Sequence, residues 1–460
     1  MFKRYIADRA FYKRILAVAI PIIIQNGITN FVSMLDNVMV GQVGTIPMSG
    51  VSIVNQLMFV FNICVFGAIS GAGIFTAQFH GSRNTEGIRH TFRFKILVCL
   101  MLTVAGLGIF LTAGGPLIGL YLTGDGDAAT AAGAMEYGLK YMAVMLWGLL
   151  PFAMTNAYAS TMRETGETMV PMAAGITAVF VNLVLNYTLI FGHFGAPAMG
   201  VEGAALATVI SRYVELAIVA GVTHIKHQNH DYIEGAFRSL YIPGKLLKNI
   251  ILKGMPLLVN EFFWATGMAI MNQSYSTCGL DVVPAMNISS TLFQLGSVVF
   301  LAMGNAVGIL MGQMLGAGTP KAEVQDSNRK LIAFAVVTGG AFGGLMAMFS
   351  GIFPGIYNTT DEVRHLATSL ILVSAAVMPF NSYTNATYFT LRSGGQTMVT
   401  FLFDSCFVWA VCVPLAYGLS RFTDIGIVPL YIICQGTDLV KCIVGGIMLK
   451  QGKWIQNLTV

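Results

Sequence analysis

An acid in the first apolar segment of the chain is the first residue whose surroundings predict chemistry. Asp36 lies there with Ser33, Thr29 and Gln25 at helical spacing, so these polar side chains share one helix face. A carboxylate inside a membrane-spanning segment is costly, and such residues usually serve binding or transport. Oxygen ligands suit Na⁺, and a carboxylate in dry surroundings suits a proton. The alternative is a solvated acid near the helix end, because Gly41 follows closely.

Polar side chains in the fifth and sixth apolar segments predict further ligands for this cation. Asn182 and Asn186 stand four residues apart on one helix face, and Thr208 adds a hydroxyl. We therefore expect these three residues to form a cation-coupling site with Asp36. If Na⁺ is the coupling ion, Asp36 and Asn182 are its first expected ligands. Hydrogen bonding between helices is the alternative role of both asparagines.

The second half of the chain carries its own acids within apolar segments. Glu261 has Trp264 on the next helical turn, and Asp404 lies four segments later. These three residues are the candidates for binding substrate or a proton, with structural pairing to a neighbouring helix as the alternative. Lys441 follows Asp438 by three residues, which predicts a local ion pair between them.

Twelve apolar segments must position these side chains. The chain is 55% apolar and only 10% charged, whereas soluble proteins carry about 25% charged residues. Its mean hydropathy is +0.71, and each segment has the length of about 20 residues that a bilayer requires. The segments cover approximately residues 15–39, 50–77, 92–113, 138–160, 169–191, 203–223, 249–275, 286–310, 330–352, 366–389, 398–418 and 427–449. We predict an all-α integral protein of the cell (inner or plasma) membrane with twelve transmembrane helices.

The second half of the chain repeats the first. Residues 163–170 return as 392–399 with five identical positions, and the spaced Gly73, Gln78 and Gly81 return 235 residues later as a second Gly-Gln-Gly set. Six segments in each copy give two parallel repeats, which is typical of transporters. The predicted units are an N-terminal lobe (1–223), a linker (224–248) and a C-terminal lobe (249–460).

Basic residues predict the orientation of the segments. They concentrate in alternate loops, for example Arg83 and Arg89 after the second segment and Lys245 and Lys248 before the seventh. Under the positive-inside rule, both termini and the linker are cytoplasmic. This distribution accounts for the net charge of +5 without a nucleic-acid-binding face. The linker histidines lack a thiol or acidic partner that would complete a metal site, so we expect a solvated loop.

Several kinds of chemistry find no support in the sequence. The seven cysteines lie in or beside apolar segments and do not predict a disulfide framework. The sequence contains no Walker motif, which would indicate ATP use. It also contains no metal-ligand motif and no nucleophile–base pair, which would indicate an enzyme. We expect no cofactor other than a coupling ion.

The order of these motifs resembles the MATE family of bacterial type, the multidrug and toxic compound extrusion transporters. The resemblance covers nearly the whole chain. It rests on Pro21…Gln25…Asp36-x-x-Met39-x-Gly41, the two Gly…Gln…Gly sets, the two Arg-x-x-Gly-x-Thr sequences, and Asn182…Asn186 followed by Gly200-x-x-Gly203-Ala204-Ala205-x-Ala207-Thr208. It differs at Asn186, where many members have Asp, and this leaves the coupling ion open.

The resemblance implies two six-helix lobes around a central cavity and export of amphipathic, often cationic compounds against Na⁺ or H⁺. It implies a cation role for Asp36 and Asn182, and a substrate or proton role for Glu261. We expect a monomer in the bilayer whose partners are small molecules and a monovalent cation, with no nucleic acid. The alternative function is a flippase of lipid-linked glycan or phospholipid, which predicts a basic cavity. A transporter of the major facilitator type fits less well, because the loop after the second segment differs from its glycine-rich loop.

Overall fold

A computed structural model describes residues 5–122, 128–423 and 425–459. The described residues form long helices and no β-strand. The helices are α1 (Arg9–Val43), α2 (Thr45–Gly81), α3 (Thr85–Tyr121), α4 (Ala129–Glu164), α5 (Met169–Phe191), α6 (Gly200–Ile225), α7 (Gly244–Ser276), α8 (Val282–Gly316), α9 (Lys321–Phe349), α10 (Asp361–Ser393), α11 (Thr397–Phe422) and α12 (Ile427–Gln451). Short irregular turns interrupt α4 at Leu146–Gly148, α11 at Leu402–Cys406 and Val408–Cys412, and α12 at Thr437.

Eleven of these helices are long and apolar enough to cross a membrane. The remaining helix, α7, has 33 residues and is more polar because it carries Lys245, Lys248, Lys253 and Glu261. Several helices extend beyond the predicted segments, since their charged ends remain helical outside the length that lipid requires. The prediction of an all-α, multi-pass membrane protein is confirmed.

The described chain divides into two compact units. The first unit comprises Ile24–Thr76 and Thr85–Ile250, so it contains the whole of the predicted linker. The second unit comprises Ile251–Val460 together with Met1–Ile23 and Ala77–Asn84. Buried aliphatic residues of α1, α8, α9 and α10 form one core of the second unit around Trp454, which is 1% exposed.

The repeated glycines and glutamines meet within the second unit. Gly81 at the end of α2 lies against the backbone carbonyl of Gln313, and Gly316 at the end of α8 lies against that of Gln78. A Cβ atom at either glycine would overlap the opposing carbonyl. Gln78 also donates to the carbonyls of Ser393 (2.9 Å) and Gln456 (3.2 Å). The sequence repeat therefore marks a reciprocal contact of two helix ends.

The linker packs on its own unit, contrary to the prediction of a solvated loop. Arg93 of α3 donates to the carbonyl oxygens of Ala236 (2.7 Å) and Gly235 (2.8 Å). Tyr232 and Ile233 are buried. The linker folds back because the arginine donors bind its free carbonyls, while its few apolar residues leave water.

Candidate functional site

Asp36 lies in the last third of α1, half-buried, and its closest hydrogen bond comes from another helix. The amide nitrogen of Asn186 on α5 donates to Oδ1 of Asp36 over 2.6 Å. Ser33 and Thr29, two other members of the predicted polar stripe, are exposed. The structure therefore brings Asp36 to the predicted asparagines, and not to hydroxyls of its own helix.

Asn182 connects Asp36 to the sixth helix. Its Oδ1 accepts a hydrogen bond from Asn186 (3.1 Å), and its Nδ2 donates to the hydroxyl of Thr208 (3.4 Å). The side-chain oxygen of Asn182 also lies 3.0 Å from each carboxylate oxygen of Asp36. Turning this amide would satisfy the carboxylate with hydrogen bonds alone, whereas the orientation with oxygen inward gathers oxygens that a cation would hold together.

Close packing of α5 against α6 fixes this arrangement. Gly203 lies so near Leu189 that a Cβ atom would stand 2.6 Å from its carbonyl oxygen. Gly192 ends α5 in the left-handed region (φ 75°), which lets the chain turn back toward α6. Small residues at a helix interface allow such close approach in membranes. The Thr208 hydroxyl is thereby held opposite Asn182.

The four side chains offer oxygen ligands with a single negative charge. Asn182 and Asn186 are buried, and the Oδ1 of Asn186 is a buried acceptor with no hydrogen-bond donor. No ion pair involving Asp36 occurs in the described ranges of the chain. Carboxylate, amide and hydroxyl oxygens without a basic partner can bind a small monovalent cation, and the carboxylate alone can bind a proton.

Asp404 in the second unit has a different set of partners. Nζ of Lys441 on α12 lies 3.3 Å from its Oδ1, and Nδ2 of Asn260 on α7 donates to its Oδ2 over 3.1 Å. The predicted local pair of Asp438 and Lys441 is therefore wrong as the main contact, since Lys441 reaches across to α11. The π-helical turn Leu402–Cys406 carries Asp404, and such turns change the direction in which side chains point.

Asn260 is held firmly beside this ion pair. Its Oδ1 accepts hydrogen bonds from the backbone nitrogen of Ser405 (3.3 Å) and from its hydroxyl (2.7 Å). The same hydroxyl lies 2.8 Å from the backbone carbonyl of Asn260. The amide that contacts Asp404 is thus fixed to both helices.

Glu261 lies near this cluster, and neither Glu261 nor Trp264 shares its hydrogen bonds within the described residues. Glu261 is half-buried and interacts electrostatically with Arg392 and Asp404. Trp264 is 42% exposed. Within the described residues, the structure places Glu261 near Asp404, and no hydrogen bond joins the three predicted residues into one site.

A buried ion pair in the first unit is a feature that the sequence reasoning missed. Nζ of Lys95 on α3 lies 2.5 Å from Glu164 at the end of α4 and also donates to Ser160 and Thr161. The side chain of Lys95 is fully buried. Its signal in the sequence is a positive charge at the start of the third apolar segment.

Comparisons with known proteins bear on the family of the chain. The family model MatE matches residues 21–188 and 256–418. A Thermotoga maritima protein named "Probable multidrug resistance protein NorM" is 22% identical, over 99% of this chain and 96% of its own. A Bacillus subtilis protein of the same name is 25% identical, over 90% of each chain.

Solved structures share the fold. An outward-facing multidrug resistance MATE family transporter of the MOP superfamily superposes with a TM-score of 0.86 at 19% identity, over 98% of both chains. A crystal structure of MATE in complex with MaL6 gives 0.84 at 20% identity, over 96% of this chain and 97% of that one. These likenesses establish the helical architecture.

Proposed function

Because the chain belongs to the MatE family of membrane transporters, we propose that it is a secondary antiporter that exports amphipathic, cationic compounds in exchange for Na⁺ or H⁺. It is a transporter and not an enzyme. The relatives named as multidrug resistance proteins support the efflux of several compounds. The observation that carries the exchange is the chain of contacts from Asp36 through Asn186 and Asn182 to Thr208.

The coupling cation binds at Asp36 in this proposal. Its charge compensates the carboxylate, while the oxygens of Asn182 and Thr208, and that of Asn186 once its amide turns, replace the water that the cation loses. A bound ligand shifts a conformational equilibrium only by its difference in affinity between the two states. Since the ligands come from α1, α5 and α6, a movement of α1 relative to the other two helices changes the affinity of the site.

The composition of this site favours Na⁺ over a proton as the coupling ion. A proton needs only the carboxylate, whereas the buried amide oxygens of Asn182 and Asn186 add ligands that a hard monovalent cation uses. Substrate binds in the second unit, where the neighbouring acids Glu261 and Asp404 provide negative charge for a cationic compound. We place the protein in the plasma membrane as a monomer with both termini cytoplasmic.

Transport of a fluorescent cationic dye in proteoliposomes tests this function, with Na⁺ and pH gradients imposed separately. We expect uptake of dye to follow the Na⁺ gradient in the unaltered protein. Asp36→Asn removes the charge that holds the cation, and we expect a loss of coupled transport of about 100-fold, which corresponds to about 2.7 kcal/mol of lost binding.

Two further variants separate the ions. Asn182→Ala removes one oxygen ligand but leaves the carboxylate, so Na⁺-driven transport falls while any proton-driven transport stays. Asp326→Asn is the matched control, because Asp326 is a partly exposed acid paired with Lys330. Full coupled transport in Asp36→Asn would overturn the proposal, and equal loss in Asp326→Asn would point to a general effect of removing charge.

A further inference from the structure

The ion pair of Asp404 and Lys441 has the features of a site for an organic ammonium ion. The Lys441 ammonium lies against the Asp404 carboxylate and 5.3 Å from the centre of the Phe407 ring. Carboxylate charge and an aromatic face are the two groups that proteins use to recognise such ions. The Lys441 ammonium thus occupies the position on Asp404 that the positive charge of a substrate would take.

We propose that Lys441 acts as a tethered competitor for cationic substrates, which displace its ammonium from Asp404 when they bind. This proposal rests on the proposed export of cationic compounds and names the place where their charge is recognised. The Asn260 amide stays on Asp404 during the exchange, because Ser405 fixes it from the other side. Phe407 then faces the substrate in place of Lys441.

The surroundings give the displaced ammonium another partner. Asp438 lies one turn earlier on α12 and interacts electrostatically with Lys441. Lys441 can therefore exchange one carboxylate for another without leaving its charge unpaired, which would be costly in a buried place. Glu261 also interacts electrostatically with Asp404, and Arg392 interacts with Glu261.

The pair is also accessible to a ligand. The side chain of Asp404 is 24% exposed, while that of Lys441 is 10% exposed. A substrate can thus approach the carboxylate from its open side. A neutral compound gains nothing from Asp404 because Lys441 already compensates that charge, so the exchange selects for positively charged compounds.

Binding measurements on the purified full chain test this displacement. Tetraphenylphosphonium serves as the cationic probe and triphenylphosphine oxide as the neutral one. Lys441→Gln keeps a hydrogen-bond donor near Asp404 but removes the competing charge. We expect the phosphonium to bind about tenfold more tightly, a difference that corresponds to 1.4 kcal/mol, while binding of the neutral probe does not change.

Two other variants complete the comparison. Lys441→Arg keeps the tethered charge, so its phosphonium affinity should equal that of the unaltered protein. Asp404→Asn combined with Lys441→Gln should lose the gain. Asp404→Asn alone should bind the phosphonium more weakly than the unaltered protein, and this result decides the matter if Lys441→Gln does not fold.

The outcomes distinguish failure of this proposal from failure of the proposed function on which it rests. Unchanged or weaker phosphonium binding in folded Lys441→Gln overturns the competition, as does full affinity in Asp404→Asn alone. In both cases dye transport by the unaltered protein leaves the proposed function intact. If the unaltered protein binds neither probe, both proposals are overturned.

Discussion

Each unit carries an acid within its helices, Asp36 on α1 and Asp404 on α11, and the two acids are compensated in different ways. Asp36 in the first unit contacts two neutral amides, whereas Asp404 in the second contacts an amide and the ammonium of Lys441. A carboxylate that only neutral amides contact is open to a cation from solution. One that already holds an ammonium binds another cation only by exchange, and this difference is the basis of the two sites that we propose.

Corresponding positions of the repeat also differ between the two units. At an offset of 235 residues Asn260 corresponds to Gln25, and at 229 residues Asp404 corresponds to Gly175. Gln25 packs against Gly175 in the first unit, where a Cβ atom would stand 2.8 Å from its Nε2. One helix pair therefore carries a neutral packing contact in one unit and a charged cluster in the other.

In a second comparison, the ion pair of the first unit is buried and its counterpart in the second unit is more exposed. The first unit has its buried ion pair at Lys95 and Glu164, where α3 begins and α4 ends. In the second unit Lys330 corresponds to Lys95 and instead pairs with the more exposed Asp326. Between α9 and α10, the corresponding helices of the second unit, a buried contact is a neutral hydrogen bond: Thr390 donates to Asn328 over 2.8 Å.

The largest expected effect on stability comes from this contrast. Lys95→Met leaves the charge of Glu164 buried without its ammonium, and breaking such a pair destabilises by about 3–5 kcal/mol. Asn328→Ala removes a neutral hydrogen bond and should cost about 1 kcal/mol. Denaturant unfolding in detergent measures both variants.

Lys330→Met is the matched control for Lys95→Met. Its pair with Asp326 is partly exposed, so we expect a loss of about 0–1 kcal/mol. Equal losses for Lys95→Met and Lys330→Met would break the comparison, because the two units would then depend on these lysines to the same degree.

The sequence predicts most of the first site and less of the second. Asn182 and Asn186 share a helix face by their spacing alone, so their contact with Asp36 requires only that α1 and α5 pack together. The pairing of Lys441 with Asp404 depends on the register of two helices, and π turns in α11 alter that register. Sequence spacing favours the local partner and cannot detect such a change.

Sequence patterns also do not predict contacts between residues that are distant along the chain. The predicted solvated linker follows from its polar composition, but Arg93 lies more than 140 residues before the carbonyls that it binds. Periodicity reports which face of a helix is apolar, and it carries no information on which backbone groups an arginine will meet. The twelve helices and the repeat were predicted because each depends on local composition.

The reciprocal glycine contact gives an intermediate effect. Gly81→Ala and Gly316→Ala each place a methyl group into an opposing backbone carbonyl, so the helix ends must separate. Overpacking of this kind destabilises by about 1–3 kcal/mol. We expect the two losses to be similar, since the contact is reciprocal. Thermal unfolding in detergent measures them.

Gly344→Ala is the control for these substitutions. A Cβ atom there meets nothing within 4 Å, and Ala in a helix is favoured over Gly by about 0.5–1 kcal/mol. The variant should therefore be neutral or slightly stabilised. A loss in only one of the two contact glycines would contradict a symmetric role for the repeat.

The smallest expected effect concerns the linker. It packs on the first unit, and we expect the stability of this packing to depend on pH. Burial lowers the pKa of His230, and Lys226 lowers it further, while Glu167 and Asp231 act in the opposite direction. A histidine held neutral in the folded state contributes stability above its ordinary pKa of about 6.5, and that contribution is lost as the pH falls through the lowered value.

We therefore expect the linker to open more often at about pH 5 than at about pH 7.5, because the open state binds the proton more tightly. Hydrogen exchange of residues 231–238, corrected for the intrinsic rate at each pH, measures this opening. His230→Gln should remove most of the pH dependence, whereas His227→Gln changes only an exposed contact with Glu234 and should retain it. An equal pH dependence in His230→Gln would show that another group controls the linker.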